Sequence, residues 1–142
     1  MSQMNTSRIL LGGLIAGLVM NVSEAALHAA ILGDETGLLY EKFAIEIPGT
    51  AGNLIMLIGA TFILGIVSVW LYAALRPRFG AGPRTAVIAG LAVWLLAHLW
   101  SGVYLGAGYA GIITPKLAWV PVGWGLIEAP LATLAGAVFY KE

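Results

Sequence analysis

Four side chains in this chain combine chemistry with an apolar setting: Glu24, His28, His98 and Glu128. Each interrupts a stretch long enough to cross a bilayer. An ionisable group there is costly, and is expected to be paired, turned into a bundle, or functional. Two carboxylates and two imidazoles form a donor set suited to zinc, iron or manganese. Glu24 and His28 are four residues apart, on one face of a helix. Four-helix bundles build carboxylate–histidine metal sites in their cores, although the paired Glu-x-x-His signature of that class is missing here. A haem held by His28 and His98 is disfavoured, because helix rise sets those histidines at depths differing by on the order of 10 Å.

Those four residues must be positioned by helices. The chain is 60% apolar and 10% charged, against about 25% charged in soluble domains. Four runs reach the roughly 20 residues that a span requires, at about 9–32, 52–75, 85–108 and 118–140. Helices are expected, since every backbone group must be satisfied inside lipid. The fold class is therefore all-α, an integral-membrane four-helix bundle, with residues 1–142 as one domain. No cysteine is present and formal net charge is zero. Disulfides, thiolate metal sites and covalent haem attachment are excluded, and nothing points to a nucleic-acid partner. Phosphate loops, nucleophile elbows and His-Glu-x-x-His motifs are absent as well.

Helical spacing sorts the faces. Gly13, Gly17, Asn21, Glu24 and His28 form one stripe, with glycines at one end for close helix approach. Trp94, His98, Ser101 and Leu105 form another, Trp124, Glu128 and Ala135 a third, and Asn53, Leu57, Ala60, Leu64 and Ser68 a fourth. Counting rise per residue brings Glu24, His98 and Glu128 within roughly a turn or two of one another. The expected buried polar site is Glu24, His28, His98, Glu128, Asn21, Asn53 and Ser101. Its metal candidates are Glu24, His28, His98 and Glu128. Pro130 frees the carbonyl of Leu126 beside Glu128.

Basic residues set an orientation. Arg8, Arg76, Arg78, Arg84 and Lys141 share one side, and only Lys42 and Lys116 fall on the other. Five against two places both termini in the cytoplasm. The multi-pass location expected is the inner, or plasma, membrane. Ser23-Glu24-Ala25 mimics a signal-peptide cleavage site, yet the apolar run continues to Leu32, so an uncleaved span is expected. Residues 33–51 make the longest connection, acidic and outside, with Pro48-Gly49 before the second span. Its apolar residues suit a short amphipathic helix at the interface. Residues 76–84 form a tight proline–glycine turn whose Arg76, Arg78 and Arg84 can meet anionic lipid headgroups. Residues 106–115 are glycine-rich and cap the outer face.

Three segments also carry a resemblance. Gly12-Gly13-Leu14-Ile15-Ala16-Gly17 with Asn21-Val22-Ser23-Glu24, then Leu71 to Pro83 (LYAALRPRFGAGP), and then Gly125-Leu126-Ile127-Glu128 through Glu142 resemble a group of small uncharacterised bacterial inner-membrane proteins. The resemblance implies a four-helix bacterial membrane protein and brings no activity. Glu24 is also similar to the first-helix glutamate of the small multidrug-resistance transporters, which are shorter and lack this charge bias.

The leading reading is a non-enzymatic structural or accessory subunit whose Glu/His pocket holds helices in register. The alternative is a proton- or ion-coupled carrier, or a metal-binding protein, using that pocket. No cofactor is expected under the first reading. Expected partners are the lipid bilayer and a homo-oligomer or larger membrane complex. The orientation predicts that a cysteine at Gly37 reacts with an impermeant maleimide from outside, while one at Gly80 reacts only after permeabilisation. The opposite pattern inverts the topology.

Overall fold

A computed structural model describes residues 4–46 and 51–141. Four helices long and apolar enough to cross a membrane account for most of the chain: α1 (Thr6–Lys42), α2 (Ala51–Phe79), α3 (Pro83–Gly108) and α4 (Pro115–Ala137). There is no strand among the described residues.

The helix ends follow local chemistry. The Asn5 side chain accepts the Arg8 N–H at 3.1 Å and starts α1. Thr114 caps α4 by accepting the Leu117 N–H at 3.3 Å, with Pro115 in the first turn. Helix α2 closes on Gly80, whose φ of 84° is left-handed, and the Gly80 N–H reaches the Arg76 carbonyl at 2.8 Å. Pro83 then opens α3. The connection between α2 and α3 is thus shorter than the expected nine-residue turn, because Arg76, Pro77 and Arg78 are still helical.

The first connection differs more. Residues 33–51 were expected to form a separate outer connection holding a short amphipathic helix; Gly33–Lys42 is helical, but as a continuation of α1. Asp34 and Glu35 end the apolar run without ending the helix. They lie within the continuing helix, and Lys42 stands at its C-terminal end, where a basic residue complements the helix dipole. Thr36 Oγ1 also donates to the Leu32 carbonyl at 2.8 Å. The helix stops at Phe43 and Ala44, where φ turns positive at 50°. Ile47, Pro48 and Gly49 lie outside the described residues.

Two helices are wound loosely at one place each. A π-helical turn occupies His28–Leu32 in α1 and another occupies Trp94–Leu99 in α3. Each is a single stretch within an otherwise α-helical element, a form often found at functional sites.

Packing is antiparallel between neighbours, and glycine sets its distance. Gly13 lies against the Ile66 backbone, Gly17 against Phe62, and Gly65 against the backbone of Gly13 and Gly17. Gly12 and Gly136 face each other's carbonyls. The buried core (Ala16, Met20, Val69, Tyr72, Ala73, Ala86, Ala89, Ala132 and Tyr140 among others) fills the end of the bundle nearer the termini. There Tyr72 and Tyr140 meet edge to face at 6.0 Å. At the other end the first half of α2 is exposed from Leu54 to Ile58, leaving space beside α1.

A side chain at Gly65 has nowhere to go but into backbone. Gly65→Ala is expected to lower stability by about 1–3 kcal/mol, as overpacking does. Gly59→Ala meets open space and is expected to be neutral. Reversible unfolding in mixed micelles measures both, and equal effects would remove the close approach as the organising contact.

Candidate functional site

The stripe on α1 points inward as its composition requires. Gly13 and Gly17 are buried, and Asn21 and Glu24 are half-buried. The Asn21 amide donates to the Gly17 carbonyl at 2.8 Å and reaches the Ile58 carbonyl of α2 at 3.5 Å. One turn on, Glu24 enters the space between α1, α3 and α4.

His98 comes from the π-helical turn of α3. Its ring occupies the volume that a side chain at position 125 would need, so Gly125 on α4 is what admits it. Glu128 follows one turn later on α4, and Gly90 packs against the backbone of Ala129 and Pro130. That contact seats the Pro130 turn of α4 directly on α3.

Three donors from three helices therefore converge. His98 Nε2 stands 3.9 Å from Glu24 Oε1 and 3.8 Å from Glu128 Oε1. Donor atoms of Glu24, His98 and Glu128 all lie within 4.8 Å of one another. These separations exceed hydrogen-bonding distance, so the groups surround a point rather than bond to each other. The Glu128 side chain is only 3% exposed, His98 11% and Glu24 31%. Glu128 Oε2 and His98 Nδ1 are buried with no hydrogen-bond partner. Buried polar groups are ordinarily satisfied, and exceptions call for an explanation.

Around this centre the polar shell is thin. Trp124 Nε1 donates to Ser23 Oγ at 2.8 Å, tying α4 to α1 beside the Glu128 carboxyl. Trp94 Nε1 donates to the Val122 carbonyl at 2.8 Å. His28 Nδ1 lies 3.0 Å from the Glu24 carbonyl and 3.6 Å from Glu24 Oε2. Its side chain is 58% exposed, at the edge of a cavity of about 510 Å³. That cavity is walled by Met20, Asn21, Glu24, Ala25 and His28 on α1 and by Leu54, Leu57, Ile58, Thr61 and Leu64 on α2. His98 and Glu128 close its inner end.

Of the residues expected from spacing, Glu24, His98 and Glu128 form the centre, and Asn21 and His28 line the cavity beside it. His28 is not one of the three converging donors. Ser101 turns back on its own helix, donating to the carbonyls of Ala97 and His98 at 2.7 and 3.1 Å. Asn53 does not line the cavity, whose wall at that end is Leu54 and Leu57. Gly125 and Ser23 were missed. Gly125 was legible as a small residue one turn before Glu128, whereas Ser23 lies off the α1 stripe. At the other end of the bundle, Arg76 lies over the rings of Tyr72 and Tyr140, 5.9 and 5.1 Å from their centroids. Arg78 and Arg84 are exposed.

No protein-family model matches the chain, and no curated protein or solved structure matches it either. Its function has to be argued from the site itself.

The contact between Gly125 and His98 predicts a specific response. In the native protein, diethyl pyrocarbonate should modify His28 several-fold faster than His98, following their exposure. Gly125→Ala should expel the His98 ring and bring its rate close to that of His28. An unchanged His98 rate would show that Gly125 does not hold the ring in place.

Proposed function

We propose that this is a multi-pass membrane protein that binds a divalent transition-metal ion between α1, α3 and α4, with Glu24, His98 and Glu128 as its protein ligands. One observation carries the reading. A carboxylate that is 3% exposed has an unpartnered oxygen, and it faces an imidazole and a second carboxylate around a shared point.

The spacing supports it. Tetrahedral zinc with bonds of about 2.0–2.1 Å sets neighbouring donors roughly 3.4 Å apart. The separations of 3.8 and 3.9 Å from His98 are wider by about half an ångström, and with all three donors within 4.8 Å of one another the carboxylates would have to rotate inward to close on an ion. Charge supports it too. Two carboxylates and a neutral imidazole cancel a divalent ion, so no net charge is left in the apolar interior. Nitrogen and oxygen donors without sulfur favour zinc, manganese or iron over copper(I).

This order reverses the ranking that the sequence alone supports. A subunit using these residues only to fix helix register needs closed hydrogen bonds between helices, worth about 0.6 kcal/mol each. Glu24, His98 and Glu128 instead stand apart from one another, although Ser23 and Trp124 act on the Glu128 carboxyl from beside it. The accessory-subunit reading keeps one observation in its favour: Trp124 to Ser23 is a closed interhelical bond of that kind. The proposed setting is a bacterial inner membrane with both termini cytoplasmic, supported by the distribution of Arg and Lys. Arg78 and Arg84 are then placed to meet anionic headgroups.

Metal analysis decides between the readings. Protein purified with divalent metals supplied should retain about one equivalent, reduced at least tenfold in both Glu128→Gln and His98→Ala, and unchanged in Asn53→Ala. Less than a tenth of an equivalent in the folded native protein would leave the accessory-subunit reading in its place.

A further inference from the structure

The metal reading leaves the cavity between α1 and α2 unexplained. Its volume of about 510 Å³ matches pockets that hold small molecules, which run from roughly 300 to 1,000 Å³. Its walls are chemically divided. Leu54, Leu57, Ile58 and Leu64 make the α2 side apolar, and Glu24, His98 and Glu128 stand at the inner end. Leu54 and Leu57 are 60% and 65% exposed, so the cavity opens between two membrane-crossing helices rather than along the bundle axis. Whatever enters there comes from the lipid and needs an apolar body.

The other end of that molecule is set by the metal. Three protein ligands leave at least one coordination position open, the arrangement of sites that take substrate or water as the remaining ligand. Because Glu24 and Glu128 already balance a divalent ion, a second cation at the cavity floor would be unfavourable. A neutral or singly anionic oxygen donor would not be.

We propose that the cavity between α1 and α2 binds an amphiphile from the bilayer, with an apolar tail against Leu54, Leu57 and Ile58 and an oxygen-donor head, of the alcohol or phenol class, completing the coordination of the metal held by Glu24, His98 and Glu128. This inference rests on the metal reading and assigns that site its ligand class. His28 sits at the cavity edge, where its Nδ1–H is directed at the Glu24 carbonyl.

The test uses full-length protein loaded with cobalt(II), whose visible absorption reports its ligands, in lipid nanodiscs. Para-butylphenol should shift the cobalt bands saturably. Butylbenzene has the tail without the donor, and para-hydroxybenzenesulfonate has the donor without the tail. Neither should shift them. Leu57→Trp and Ala25→Phe fill the cavity from opposite walls and leave the three metal ligands themselves unaltered. In each, cobalt content should stay at one equivalent while half-saturation by para-butylphenol moves up about tenfold or more. Two variants are used so that a folding failure in one does not remove the test. Cobalt bound at one equivalent with bands indifferent to para-butylphenol overturns this inference and leaves the metal site standing. So does an equal response to the sulfonate, or an unaltered response in both filled variants. Failure of the native protein to hold cobalt overturns both.

Discussion

Backbone-to-backbone approach at glycine is the contact on which the rest of this molecule depends. Within a bilayer, apolar side chains gain little by leaving lipid for protein, so helices associate through tight packing and polar contacts. Gly12, Gly13, Gly17, Gly65 and Gly136 let α1 lie directly on α2 and α4. That contact fixes the rotation of α1. With Gly13 and Gly17 turned inward, Asn21 and Glu24 are turned inward as well, since they share a face. Gly90 and Gly125 do the same for α3 against α4, and so bring His98 to Glu128.

The bundle is therefore uneven along its length. Near the termini, small residues bring the helices together around the buried core, and the Tyr72–Tyr140 pair packs at that end. Toward the other end, the first half of α2 stands off from α1, and its large, exposed side chains, Leu54, Leu57 and Ile58 among them, border the space between the two helices. The gap they leave is the cavity, and the converging donors stand at its floor. Close packing at one end and an accessible polar centre at the other are properties of the same four helices. A rigid half is what allows three side chains from three helices to hold a common point without bonding to each other.

The legible part of this structure was the part set by hydropathy and by a regular period. The four helices were plain from apolar runs, and the inward stripe of α1 was plain from Gly13 to Glu24 because the winding there is regular. Two features escaped for physical reasons. Asp34 and Glu35 end a hydrophobic run, but a change in hydropathy does not interrupt backbone hydrogen bonding, so α1 runs on to Lys42 where the sequence suggested a separate short helix within the 33–51 connection. The π-helical turn over Trp94–Leu99 inserts extra residue into the α3 period. Faces beyond it rotate by about 100° relative to a regular helix. Ser101, grouped with His98 by a period of 3.6, accordingly leaves the site and caps carbonyls on its own helix. Nor could spacing within one helix reveal that Gly125 makes room for a ring from another.

The central claim is that Glu24, His98 and Glu128 stand apart because an ion belongs between them. Anomalous diffraction at the zinc absorption edge, from crystals grown with zinc, locates such an ion directly. The account predicts one strong peak enclosed by the three side chains, about 2.0–2.2 Å from His98 Nε2 and from an oxygen of each carboxylate. A structure with no peak at that point, and with Glu128 closed onto His98 in a direct hydrogen bond, would contradict it.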